Sequence, residues 1–308
     1  PFVLMGFHTE ISGNQIALAA ILLLVAFVLP LLGFVFALRL AGGTTALELR
    51  PRRLAYASIA APPLFVFTGV APGLIGLHIP DIAIWCLVWL AAGLAVWLAP
   101  ATALAPAFPK PIAGWRVAHG VAAALIACFV LFHLTDHLTG LYGPEMHKAV
   151  MAVGRKIYRA PVVEPILVAL LLFQVASGIR LAWRWSSLRV DAYRVFRIGS
   201  GAYLAAFILA HMNSAFLSAR AVHHIETDWA WASGAPTGLI QDAWNIRLLP
   251  HYALGVFFIL GHLASGLRVV MLAHGVSPIV ANRVWMAALT GAVLIAAAII
   301  AGLCGVRL

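Results

Sequence analysis

The residues best able to do chemistry in this chain are histidines set inside apolar runs. His133 and His211 each fall toward the same end of a hydrophobic stretch. A five-residue echo, Ala176-Ser177-Gly178-Ile179-Arg180 and Ala264-Ser265-Gly266-Leu267-Arg268, sets Gln174 and His262 at matching places two residues ahead of it. An imidazole in hydrocarbon is costly, so an intramembrane histidine reads first as functional. Two neutral imidazoles on facing helices are the axial ligands that a low-spin haem iron takes, and bundle cores are where such sites are built. On this reading His133 and His211 hold one haem b. Gly201, ten residues before His211 and so on a similar face, leaves room for a macrocycle edge. Glutamine is a weak iron ligand, so the layer of Gln174 and His262 is expected to carry no second haem. There His262 hydrogen-bonds Gln174, ligates through another partner or meets a quinone carbonyl. The competing chemistry is a metal chelate at His133, Asp136 and His137, which stand within about one helical turn.

The elements that position these residues are membrane spans. Hydrophobic residues make up 63% of the 308, charged residues only 10%, and the mean hydropathy is +1.00, which excludes a soluble globular domain. Apolar stretches of spanning length occur near 14–38, 54–77, 82–104, 117–140, 162–183, 197–219, 250–272 and 284–305, predicting an all-α polytopic bundle of about eight helices. With the N-terminus outside, 13 of the 20 Lys and Arg fall on the inner side, while only Glu48 and Asp191 of the ten acids do. This bias places both termini outside and accounts for the formal charge of +10 without nucleic acid. Residues 1–14 lack a basic leader pattern, so the first helix reads as a span, and Pro1 suggests a processed or truncated start. Cys86, Cys128 and Cys304 are isolated within spans and read as buried packing residues. No phosphate loop, nucleophile elbow or catalytic carboxylate pair occurs.

Organisation follows from proline and charge. Pro106, Pro109 and Pro111 make 105–116 a stiff inner linker between a three-helix portion, 1–104, and a five-helix portion, 117–308. Pro30, Pro62, Pro63 and Pro72 kink the first part or make it irregular. The segment 144–159 reads as an amphipathic interfacial helix with Met146, Val150, Val153 and Ile157 on one face and His147 elsewhere. The long loop 221–249 carries Trp229, Trp231 and Trp244, which either anchor at headgroup level or form a lid. His119 and His274 read as inner interfacial residues, and His8, His78, His147, His223, His224 and His251 as outer ones.

Arg197-Ile198-Gly199-Ser200-Gly201 followed by His211, and His262 followed by Gly266-Leu267-Arg268, resemble the haem-helix motifs of the membrane-anchor cytochrome b subunit of the succinate dehydrogenase and fumarate reductase family. The resemblance covers about 115–275 and leaves the first three helices aside. It implies a cytochrome b-like bundle in which His133 and His211 match the outer ligand pair and His262 one inner ligand. Gln174 departs from the other inner ligand. The function expected is an electron-transfer subunit between a b-type haem and a membrane quinone, within a respiratory complex of a bacterial inner membrane. The quinone is expected from the outer leaflet, near His251, Trp229 and Trp231. The other class is a haem-free transporter or assembly subunit that retains the fold.

Overall fold

A computed structural model describes residues 13–43, 45–98 and 112–308. These residues are helical, with no strand among them. The helices are α1 (Gly13–Arg39), α2 (Ala46–Ile59), α3 (Ala61–Leu74), α4 (Asp81–Leu98), α5 (Ala113–Thr139), α6 (Pro144–Tyr158), α7 (Val163–Ser186) and α8 (Ala192–Met212), then the single turn α9 (Trp229–Ala232), α10 (Leu248–Ala273) and α11 (Pro278–Leu303). Past Met212 the α8 backbone continues in π-helical form over Asn213–Val222. Among the described residues seven helices are long and apolar enough to cross a membrane, up to eight if the bent pair α2 and α3 counts as one span. The chain is an integral membrane bundle.

The break between α2 and α3 has a local cause. Pro62 and Pro63 open α3, where they supply no backbone donor to the preceding turn, and the two helices meet at 67°. Most of the linker expected at 105–116 lies outside the described residues, and α5 already starts at Ala113. Its neighbour α4 has no buried residue and turns Leu87, Leu90, Leu94 and Trp97 outward, the pattern of a peripheral helix in lipid. Cys86 and Cys128 are exposed rather than buried, on surfaces that face hydrocarbon. Helix α6 forms as expected but with a different inward face. His147, Met151 and Gly154 are buried, while Met146, Val153 and Ile157 look outward.

The three-helix portion is not a separate body. Ala37, Tyr56, Ile59, Val195, Ile198, Tyr203 and Phe258 form one apolar core that joins α1 and α2 to α8 and α10. Gly199 permits the approach: a Cβ there would stand 2.5 Å from the ring of Phe34. Arg52, 0% exposed, donates to the carbonyls of Leu40 and Ala41, each at 3.0 Å, and to that of Ser186. It thus satisfies carbonyls left open at the C-terminal ends of α1 and α7. Arg53 lies 3.7 Å from the ring centre of Trp183 and donates to the hydroxyls of Ser186 and Ser187. At the opposite end of the bundle, Arg247 pairs with Asp81 at 2.5 Å, tying the start of α4 to the start of α10.

Arg52→Met removes the donor and leaves three carbonyls facing an apolar side chain. The expected loss is on the order of 3 kcal/mol, read as a lower thermal unfolding midpoint in detergent. The exposed Arg189→Met should leave the midpoint unchanged.

Candidate functional site

Helix α5 packs on α7, α7 on α8, α8 on α10 and α10 on α11, which returns to α5. This ring encloses a cavity of about 1310 Å³. One end of the cavity is lined by Arg116, Arg194 and Arg197, the other by Arg155, Tyr158 and Thr227. These are called here the arginine end and the loop end. Between them the lining is mostly aliphatic, interrupted by the imidazoles of His119, His133, His137, His211 and His262.

His133 and His211 come together as expected. Their ring centroids are 6.1 Å apart, with the planes at 64°. With metal–nitrogen bonds of about 2 Å, two imidazoles on opposite sides of one iron hold their centroids roughly 6 Å apart. Each ring is stacked on the phenylalanine one turn before it, Phe129 at 5.5 Å for His133 and Phe207 at 5.6 Å for His211. Each phenyl face covers one side of an imidazole and restrains its plane. The donor set, two neutral imidazoles in an apolar slot, fits a haem iron.

A second imidazole pair lies toward the arginine end, and it is not the pair read from the echo. His262 faces His119 of α5 at a centroid separation of 6.5 Å, with the planes at 78°. The His119 Nδ1 is 2.7 Å from the Ser177 hydroxyl, and the His262 Nδ1 is 2.9 Å from the Ser200 hydroxyl. Gln174 does not bond His262. Its amide donates to the backbone carbonyl of His119 at 2.8 Å, which holds α7 against α5. Gly201 also lines the cavity, but against the other pair: a Cβ there would stand 3.3 Å from Cε1 of His262. His119, expected at the interface, is thus drawn into the cavity by the close packing of α5 on α7.

At the loop end the structure gathers residues that the sequence left scattered. The His137 ring lies 4.6 Å from that of His133 and 5.4 Å from that of His147. His147, 2% exposed, is no interfacial residue. It sits under Trp229, whose ring centre is 4.8 Å away, and 3.5 Å from the Asp136 carboxylate, too far for a good hydrogen bond. Trp229 is itself buried, against Gly140, so it plugs the bundle and does not anchor at a headgroup. His251, 1% exposed, does not meet the outer loops. It packs against Phe207 at 4.6 Å because α10 begins three residues before it and presses this turn onto α8. Neither His251 nor Trp229 lines the cavity, whereas Trp231 does. Among the described residues no group of three or more His, Cys, Asp or Glu is placed to hold a bare metal ion, so His133, Asp136 and His137 do not form the chelate.

The signal that could have found these positions is a longer repeat. Trp115-Arg116, Phe129 and His133 on α5 recur at the same spacing as Tyr193-Arg194, Phe207 and His211 on α8. The two arginines of the shorter echo then take equivalent places, Arg180 over the ring of Trp115 at 4.7 Å and Arg268 over that of Tyr193 at 3.5 Å. His119 precedes His133 by 14 residues, close to four whole turns, which puts both on one face of α5. No protein-family model, no curated protein and no solved structure matches the chain.

His147 lies outside the spans, and its pKa is lowered to about 4, chiefly by burial and further by Arg155, against a smaller opposing pull from Asp228. Above its ordinary value of 6.5 the ring is neutral folded or unfolded. Below it the unfolded chain takes a proton that the folded one refuses, so stability falls between pH 6.5 and about 4. The unfolding midpoint in detergent should drop over that window, and His147→Gln should flatten the drop; an equal slope in both proteins would rule out His147 as the source.

Proposed function

We propose that the chain is a b-type, haem-carrying electron-transfer subunit that works with a lipid-soluble quinone in a membrane complex. The observation that carries the reading is the 6.1 Å separation of the His133 and His211 rings inside an apolar cavity. When bound, the group supplies one-electron chemistry, and the protein supplies ligands, orientation and exclusion of water. His133 and His211 hold the iron through ring nitrogens, and Phe129 and Phe207 keep the rings from rotating. His137, although in contact with His133, is left to the polar cluster with His147 and Asp136.

The quinone meets the chain at the loop end of the cavity, where Arg155, Tyr158, Thr227 and Trp231 provide polar and aromatic contacts beside an apolar channel. This replaces the expected site at His251 and Trp229. Electron donors and acceptors in partner chains complete the complex, since nothing in this sequence carries a flavin or iron–sulfur motif. In this reading the arginine end faces the cytoplasmic side of a bacterial inner membrane, with both termini outside, an orientation that the distribution of basic residues supports.

Two measurements test the reading. In protein purified from membranes, His133→Leu and His211→Leu should each remove the same component of the reduced-minus-oxidised spectrum, while His137→Leu should keep it. A spectrum unaltered by His133→Leu would overturn the assignment, and a chain that takes up no haem would leave the transporter or assembly class. For orientation, Leu47 is exposed at the start of α2. Leu47→Cys should react with a membrane-impermeant maleimide in inverted vesicles and not in intact cells stripped of their outer envelope; the reverse would invert the topology.

A further inference from the structure

We propose that the chain binds a second haem between His119 and His262, so that one molecule carries two prosthetic groups stacked across the membrane. The inference rests on the reading of His133 and His211 as a haem site but uses separate observations. The Ser177 hydroxyl donates its only proton to the carbonyl of Phe173 at 2.6 Å, and the Ser200 hydroxyl donates to that of Arg197 at 3.2 Å. A serine so engaged accepts from Nδ1 of its histidine, 2.7 Å away for His119 and 2.9 Å for His262. With the proton on Nδ1, Nε2 of each ring is left as a lone-pair nitrogen. Both serines are 0% exposed, so these contacts are shielded from bulk water.

Two lone pairs on rings 6.5 Å apart, in an aliphatic cavity, repel one another and are complementary to a cation between them. They do not suit a quinone carbonyl, which is itself an acceptor. No third His, Cys, Asp or Glu joins them among the described residues, so the remaining coordination must come from the ligand, as a porphyrin provides. Space for a flat macrocycle exists on the same level. A Cβ on Gly120 or Gly266 would meet nothing within 4 Å, and one on Gly178 would come no closer than 3.5 Å to His119. Arg116, Arg194 and Arg197 line the cavity at this end and match the propionates of haem. The cavity volume, about 1310 Å³, exceeds the usual range of a single-ligand pocket, roughly 300–1,000 Å³. The family that the sequence resembles would place the partner of His262 at Gln174. Here the partner comes instead from α5, and one helix supplies a ligand to each group.

The test is haem per chain in the purified full-length protein, with redox titration of its absorption. The parent should hold two haems titrating as two components. His119→Leu and His262→Leu should each halve the haem and remove one component, and His133→Leu should halve it by removing the other. Ser200→Ala leaves both ligands in place and should shift only the component lost in His262→Leu, which keeps the test decisive where a ligand variant does not accumulate. One haem per chain, indifferent to His119 and His262, would overturn this inference and leave the His133–His211 site standing. A single haem lost with His119 but kept without His133 would instead defeat the first site and uphold the second. No haem in the parent would defeat both.

Discussion

A neutral imidazole has one proton and one lone pair, and inside a membrane bundle each must find a partner within the protein or its ligand. That requirement organises the centre of this molecule. At the arginine end, Ser177 and Ser200 each stand at the Nδ1 of a cavity-lining imidazole, His119 and His262. At the other level, Phe129 and Phe207 hold His133 and His211 by stacking instead of hydrogen bonding. Two solutions to one problem thus sit roughly 20 Å apart along α5. The difference gives each level its own second contact, a hydroxyl or a phenyl face.

Keeping such a cavity open requires walls that do not collapse inward, and the first helices support those walls from behind, since every lining residue lies at or beyond Ala113. They pack on α8 and α10 through the core around Tyr56, Tyr203 and Phe258. Arg52 and Arg53 fasten them to the end of α7, and Asp81 fastens α4 to Arg247. Charged side chains are costly within a membrane unless they are fully engaged. These are spent at helix ends, where open carbonyls and ion pairs meet them. The helices without histidine therefore brace the histidine-bearing bundle from outside, a role that their composition alone does not disclose.

Internal duplication accounts for one histidine level and not for the other. The repeat of α5 and α7 in α8 and α10 makes His133 and His211 true equivalents, related by the same spacing from Trp115 and Tyr193. The other level breaks that equivalence. In the first helix pair the histidine is on α5 and its serine on α7; in the second the serine is on α8 and the histidine on α10. Gln174, the positional counterpart of His262, is turned to a structural task at the backbone of His119. A repeated scaffold has thus been filled by exchange of roles between paired helices.

Hydropathy and length determine that this chain is a helical membrane bundle, because apolar runs of spanning length admit few other structures in lipid. The spacing of His133 and His211 within their runs was enough to bring them to one level. Sequence could also give the amphipathic character of α6, since period and composition are local properties. It could not give which face of α6 turns inward, because Gly154 against Phe132 and Trp229 over His147 are contacts between distant segments. Nor could it separate His119 from an interfacial histidine, or His251 from a loop-facing one. Burial depends on which helix packs over a residue, and only the ring closed by α5, α7, α8, α10 and α11 decides that. The neighbour of His262, left open among Gln174, another partner and a quinone, could not be read for the same reason: an echo aligns positions along the chain, whereas contact depends on which helices meet across the cavity.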